Sequence, residues 1–471
     1  MNGIRFIGKI KNKTTHEIRK ARIGIGLEKL DRNLYDPHKV FDELVELGAK
    51  WVRIQSGWCR TEKEKGFYDF AWLDDIVDNL LSRDMIPWMC LCYGNELYTE
   101  GAVNAAGAVG KPPIHTEEER IAWDNYVTAC VEHYRGRVEL YEIWNEPNGN
   151  WCWRPKAEPE EYKQFCKRTA GLIKKTDGKA KVVVGSFCEG VSFLYRFWDA
   201  ELAQMSDYIS YHRYRFDVEN GVAEHVKNIR AIAQRYNPET GVIQGETGTQ
   251  SRYSVNGALN SAEWTERKQA KFLLRKIMAD LATEVAFTSY FSAVDIFENI
   301  FNDEVNIHES MYGFFGVLGE RFDENGRPLG EYYRKPSFVA MQTLCAVFDD
   351  TVERVHIPHE FSIANYSYDI DSSAQGAGIY TGGFRKENGA LGLVYWKAED
   401  ILRSDYSACT TISVYGVDQH VKLIDLYSGE VYDIDKNKIE YENGEMKLNS
   451  IPLTDYPLLL TFGDFAEIEK V

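Results

Sequence analysis

The chain has 471 residues, 44% of them hydrophobic and 27% charged, with a formal net charge of -17. That acidic balance excludes nucleic acid and anionic membranes as main partners, because both are bound through basic patches. The length exceeds one small domain and suits a large α/β barrel with an accessory domain.

In chain order, the opening MNGIRFIGKIKNKTTHEIRK lacks the apolar core of a secretory signal. No run of about 18 apolar residues follows, so no membrane span is expected. The nine cysteines are scattered, and the Cys90-x-Cys92 pair has no complement for a zinc site. An odd count without a signal reads as reduced thiols in a cytoplasm. Residues 1–20 are expected as an N-terminal segment whose IRFIGKI adds a strand to a C-terminal domain. From about residue 22 short apolar runs alternate with amphipathic stretches. Strands are predicted at Ile23–Gly26, Trp51–Gln55, Ile86–Cys92, Val138–Trp144, Val182–Ser186, Tyr208–His212, Val242–Gly245 and Phe287–Ser292. Eight such βα units predict a (β/α)8 barrel over residues 21–348.

Asp36-Pro37 supplies a helix cap, Val40, Phe41, Leu44, Val45 and Leu47 an apolar face, and Gly48 a stop. A further face is predicted at Phe272, Leu273, Ile277, Met278 and Leu281. Two connections, Tyr93 to Glu117 and Asp295 to Arg334, are long enough to overhang a catalytic face. Residues 349–471 change character. Short runs such as LGLVYW and YPLLLTF, separated by Gly, Asn and Asp, predict an accessory antiparallel β-domain resembling a sandwich.

Functional residues of a βα barrel sit at the C-terminal ends of its strands. The fourth strand ends YEIWNEPNGNWCW, with Glu146 between Asn145 and Pro147. Asn145 suits a sugar hydroxyl; Trp151 and Trp153 suit the faces of sugar rings, while Trp144 reads equally as core. The seventh strand ends in Glu246, across the ring from the fourth, so two carboxylates can flank one glycosidic bond. Glu28, Glu189 and Asp295 are rival carboxylates near other strand ends. Arg53 reads either as a neighbour of Glu246 or as a barrel-interior ion pair with Glu142. Arg60, Arg154, Arg213, Arg215 and Arg252 fall near strand ends, which raises a uronic-acid substrate as an alternative.

These motifs resemble glycoside hydrolase clan A, and most closely family 39, which includes β-xylosidases and α-L-iduronidases. The resemblance rests on IWNEPN, on the later strand-ending Glu, on Arg53 in WVRI, and on His212 and Tyr214 in YHRY. It implies a retaining glycosidase; the two long connections and the accessory β-domain, which can wall a cleft into a pocket, add the expectation of exo action on short oligosaccharides. Glu246 would be the nucleophile and Glu146 the acid/base, held protonated by its ionised neighbour. Asn145, Arg53, His212, Tyr214, Trp151 and Trp153 would bind substrate, with Asn145 on the 2-hydroxyl and Tyr214 orienting Glu246. No cofactor and no metal are implied. One departure is the absence of a Trp ending the eighth strand, where Tyr290 or Phe291 is expected to replace it. An endo-glycanase, a non-catalytic carbohydrate-binding barrel and a metal-dependent hydrolase are the alternatives. The last is disfavoured because the ten histidines include no H-x-H and only His212 ends a predicted strand.

Overall fold

The computed structural model describes residues 3–103, 107–298, 313–362 and 378–470. Strand β1 (Ile4–Ile10) joins a sheet formed far down the chain. The next eight strands are parallel and close into a barrel. They are β2 (Ile23–Gly26), β3 (Trp51–Gln55), β4 (Ile86–Leu91), β5 (Leu140–Ile143), β6 (Lys181–Cys188), β7 (Tyr208–His212), β8 (Gly241–Thr247) and β9 (Thr288–Tyr290). Closure is made by β9 pairing back onto β2, with Ile23 opposite Thr288. Side chains alternate across each strand, so every second residue points to the barrel axis. Trp88, Leu140, Val183, Ile243 and Phe287 fill the lower interior as one apolar cluster. Trp51 stacks on Phe287 at 4.7 Å. This plug makes the barrel a packed core and leaves polar residues only for its upper layer.

The helices follow from their apolar faces, with two differences from expectation. Asp36 caps a short 3-10 turn, Pro37–Lys39, by accepting from the His38 N–H; the α-helix proper is Phe41–Leu47, stopped by Gly48 at φ 79. The helix Glu266–Leu281 is buried on every side from Gln269 onward, not on one face. Its polar side meets the C-terminal region, where Lys271 pairs with Asp405 and Asp455 and Arg275 donates to the Glu399 carbonyl; Arg275 also pairs with Glu219 of the barrel. In the connection after β9, residues 299–312 lie outside the described residues, as do 104–106 of the earlier one. The remainder of the later connection is not open loop. It folds as a hairpin of β10 (Leu318–Phe322) and β11 (Pro328–Arg334), turned at Gly326, φ 77.

Beyond the barrel two antiparallel sheets face each other. The larger runs in the order Val352–Arg354, Ile379–Lys386, Leu391–Lys397, Leu458–Phe462, Val421–Asp425, Glu430–Ile434, β1 and Ile468–Glu469. The smaller runs His359–Ser362, Ser407–Tyr415, Glu445–Thr454, Ile439–Glu442. Leu393, Leu423 and Leu460 of one sheet pack against Ile412, Leu448 and Leu453 of the other, which makes the pair a sandwich.

Asp349, just after the last barrel helix, ties three parts together. Its oxygens accept from Lys13, Lys386 and Thr351 at 2.9, 2.9 and 2.5 Å. Burial opposes its charge, but these donors hold the carboxyl down at about 2. A depressed carboxyl stabilises the fold fully above its unfolded value and less as pH falls through the folded one. Stability should therefore drop between roughly pH 4 and 2. Asp349→Asn should show a smaller drop over that window in urea unfolding midpoints measured at each pH.

Candidate active site

Glu146 follows β5 in a left-handed backbone conformation, φ 45, as does Trp144, φ 66. Such angles are uncommon without glycine and need holding. The Glu146 N–H donates to the Ser186 carbonyl at 3.0 Å, and its carbonyl accepts from Gly149 at 2.9 Å. The turn aims the carboxylate over the barrel mouth. There Oε1 lies 3.0 Å from His212 Nδ1, and Oε2 accepts from Trp151 Nε1 at 2.5 Å. Glu246 comes from β8, in register beside His212. Its Oε2 accepts from Arg53 at 2.7 Å and its Oε1 from Tyr214 at 2.7 Å. One oxygen from each glutamate, together with a His212 ring nitrogen, fall within 4.8 Å of one another.

These side chains line a pocket of about 540 Å³ with Asn145, Glu28, Gln55, Tyr93, Phe291 and Phe315. Phe291 is thus the strand-eight aromatic at the pocket, edge-on to Phe315 at 5.2 Å, whereas Tyr290 is buried and outside the lining. Trp151 is 54% exposed and reaches the pocket. Trp153 does not: it is fully buried against Trp144, Tyr162 and Phe165, so its expected place at substrate is wrong. Two residues in a turn face whichever way the following helix dictates, and here Pro159–Thr176 supplies the packing partners.

Arg53 also departs from expectation. It is wholly buried beneath the pocket and does not line it. It makes both of the ion pairs that the sequence posed as alternatives. Glu142 takes it in bidentate fashion at 2.7 and 2.8 Å, while Glu246, Glu28 and Asn145 take its remaining donors. The guanidinium rests 5.5 Å above the Trp88 ring that tops the barrel plug. One cation among three carboxylates leaves an excess of negative charge, which favours the neutral form of Glu28. Burial pushes it up to about 7, Arg53 opposing and the charge of Glu246 adding. Removing Arg53 would leave buried carboxylates uncompensated. Arg53→Met should lower unfolding free energy by about 3–5 kcal/mol, read from denaturant midpoints.

Glu146 is the electrostatic surprise. Burial favours its neutral form, but the hydrogen bond and charge of His212, with Cys188 and Trp151, outweigh that and hold the carboxyl at about 2. The sequence expectation of a proton kept on Glu146 by its neighbour is not met in this arrangement. Donors bonded to the carboxylate count for more than a like charge across the pocket.

The rival carboxylates are otherwise engaged. Asp295 is buried and bonded to Lys335 at 2.6 Å and to the Gly316 and Glu320 N–H groups. Glu189 lines the pocket but pairs with Arg213 at 3.0 Å. Among the described residues the pocket lining holds Lys29, whose Nζ lies 3.6 Å from Glu298, and no arginine. Arg215 pairs with Asp217 and Glu189, Arg60 lies over Trp72 and Arg252 over Phe314. Glu146, His212 and Glu246 could between them offer ligands to a cation. Yet all four carboxylate oxygens already contact Trp151, His212, Arg53 or Tyr214. Gln55, Tyr93, Cys152 and Cys188 at the pocket were not foreseen. All follow or end barrel strands, which is the one signal that could have found them.

A β-xylosidase from Geobacillus stearothermophilus is 24% identical over 287 residues, 54% of this chain and 53% of that protein. The chain thus matches about half the length of that relative. β-Galactosidase BgaA from Clostridium cellulovorans is 37% identical over 67 residues, 14% of this chain and 10% of that protein. Among solved structures, a family 39 glycoside hydrolase from Bacteroides cellulosilyticus WH2 superposes with TM-score 0.64 at 19% identity, covering 94% of this chain and 81% of that one. A monomeric β-xylosidase from Caulobacter crescentus CB15 gives 0.58 at 16% identity over 97% of each. At such identities the likeness shows a shared fold. The model for glycosyl hydrolases family 39 matches residues 40–364, and the chain belongs to that family.

Proposed function

We propose that the protein is a retaining exo-glycosidase acting on a neutral, xyloside- or glucoside-like substrate. The observation that carries the reading is the pair Glu146 and Glu246, from facing sides of the barrel, with oxygens within 4.8 Å through which one sugar can be addressed. Retaining enzymes hold their carboxyl groups about 5–5.5 Å apart, inverting ones about 6.5–9.5 Å. Glu246, oriented by Arg53 and Tyr214, attacks the anomeric carbon as a carboxylate. Glu146 protonates the leaving oxygen. Glu146 does this in its protonated form, with His212 Nδ1 3.0 Å from Oε1. Forming the glycosyl-enzyme neutralises Glu246, and Glu146 then takes a proton from the incoming water. Asn145, its Oδ1 fixed by Arg53, presents its amide to the 2-hydroxyl. Trp151 and Phe291 supply apolar faces to the sugar.

Val109, Gly257, Ala258 and Phe315 wall the pocket, which supports exo action; among the described residues its lining has no arginine and its lysine, Lys29, faces Glu298, which supports a neutral sugar. The test is a panel of nitrophenyl glycosides: β-xyloside, β-glucoside, β-galactoside, α-arabinoside, β-glucuronide and α-iduronide. Early product is observed by proton NMR. Turnover of a neutral member with the starting anomer formed first is expected. First appearance of the opposite anomer would overturn retention, and preference for a uronide would overturn the neutral substrate.

A further inference from the structure

The loop from Arg213 to Gly221, between β7 and the helix Val222–Ala233, carries Tyr214 to the carboxylate of Glu246. Its near end is tied to β8: the Arg213 N–H donates to the Glu246 carbonyl at 3.3 Å, and Thr247 Oγ1 donates to the Arg213 carbonyl at 2.8 Å. Its far end is tied to the sandwich. Glu219, 4% exposed, accepts from Arg275 Nε and Nη2 at 2.5 and 2.8 Å and from Trp396 Nε1 at 2.7 Å. Trp396 belongs to the sandwich strand Leu391–Lys397 and is stacked by Tyr380 at 5.8 Å. Arg275 spans the same boundary, donating to the Glu399 carbonyl at 2.8 Å. The two ends of the loop are joined to each other, because the Arg213 guanidinium donates to the Asn220 carbonyl. Between them Asn220 Nδ2 bonds Asp217 at 2.8 Å, and Phe216 stacks on Trp264.

A buried carboxylate held by a bidentate guanidinium and an indole N–H has little freedom. Through the Arg213–Asn220 link that rigidity reaches the residue beside Tyr214. We propose that the β-sandwich is a positioning part of the active site: Trp396, acting through Glu219, fixes the loop that presents Tyr214 to Glu246. This rests on Glu246 being the nucleophile. Trp396 and Glu219 touch no substrate; they act on the angle and distance of the Tyr214 hydroxyl, and displacement of a group that serves the reacting carboxylate costs rate more than affinity.

The test uses the full chain and four variants: Trp396→Phe, Glu219→Gln, Tyr214→Phe and the Trp396→Phe/Tyr214→Phe double. Each is confirmed folded by thermal unfolding, with rates expressed per folded molecule. Trp396→Phe should lower kcat by about three- to tenfold with KM little changed. Glu219→Gln should show the same split. The double variant should be no slower than Tyr214→Phe alone, since a loop without its hydroxyl has nothing left to misplace. A merely structural Trp396 would lower Tm and leave kcat intact; that result, or losses in the double that multiply, overturns the proposal. Glu246→Ala separates the two readings. If it is inert while Trp396→Phe matches wild type, only the positioning role fails. If it is fully active, the nucleophile assignment fails and this proposal with it.

Discussion

Glu246→Ala should abolish turnover, with kcat lower by on the order of 10⁴-fold or more, the scale seen when a nucleophile is removed. Azide should restore part of it. A small anion can enter where the carboxylate stood and attack the same carbon, and Glu146, with its His212 partner, remains to protonate the leaving group. The recovered product should be a glycosyl azide of inverted configuration. The fold should tolerate the change better than loss of Arg53, since that guanidinium keeps Glu142, Glu28 and Asn145. Activity near wild type without azide would remove Glu246 from the mechanism.

Glu146→Ala should give a loss that depends on the leaving group. General-acid help is worth roughly 10²–10⁴-fold, and only where the departing oxygen needs a proton. Dinitrophenyl glycosides, whose phenolate leaves unaided, should still form the glycosyl-enzyme quickly, then stall for want of a base. A burst of one equivalent followed by a slow steady rate, accelerated by azide with retention, is the expected trace. Poor leaving groups should show the full loss. An equal loss across all leaving groups would mean that Glu146 handles no proton and serves only to bind.

The barrel was readable because each strand is a short apolar run ended by a polar residue, and buried parallel strands require that pattern. Glu146 and Glu246 could be picked out because strand ends face one mouth. What escaped depended on partners distant in sequence. Trp151 and Trp153 are chemically alike, and only the helix Pro159–Thr176 decides that one meets the pocket and the other the core. The two readings of Arg53 looked exclusive, yet a guanidinium has five donors and makes both pairs. The state of Glu146 followed from its direct donors rather than from its distance to Glu246. The helix Glu266–Leu281 shows an apolar face in sequence, but nothing local says that its charged face is also covered.

Strand β1 has a consequence for how the molecule is made. Ile4 pairs with Ile434, and Ile10 with Ile468. During synthesis at about 5–20 residues per second, β1 waits roughly 20–90 s before its neighbour emerges from the ribosome. For that time Ile4, Phe6 and Ile10 belong to an unpaired edge able to join strands of other nascent chains. The barrel can close while the segment trails from its first strand, but the larger sheet is finished only when β1 meets Glu430–Ile434.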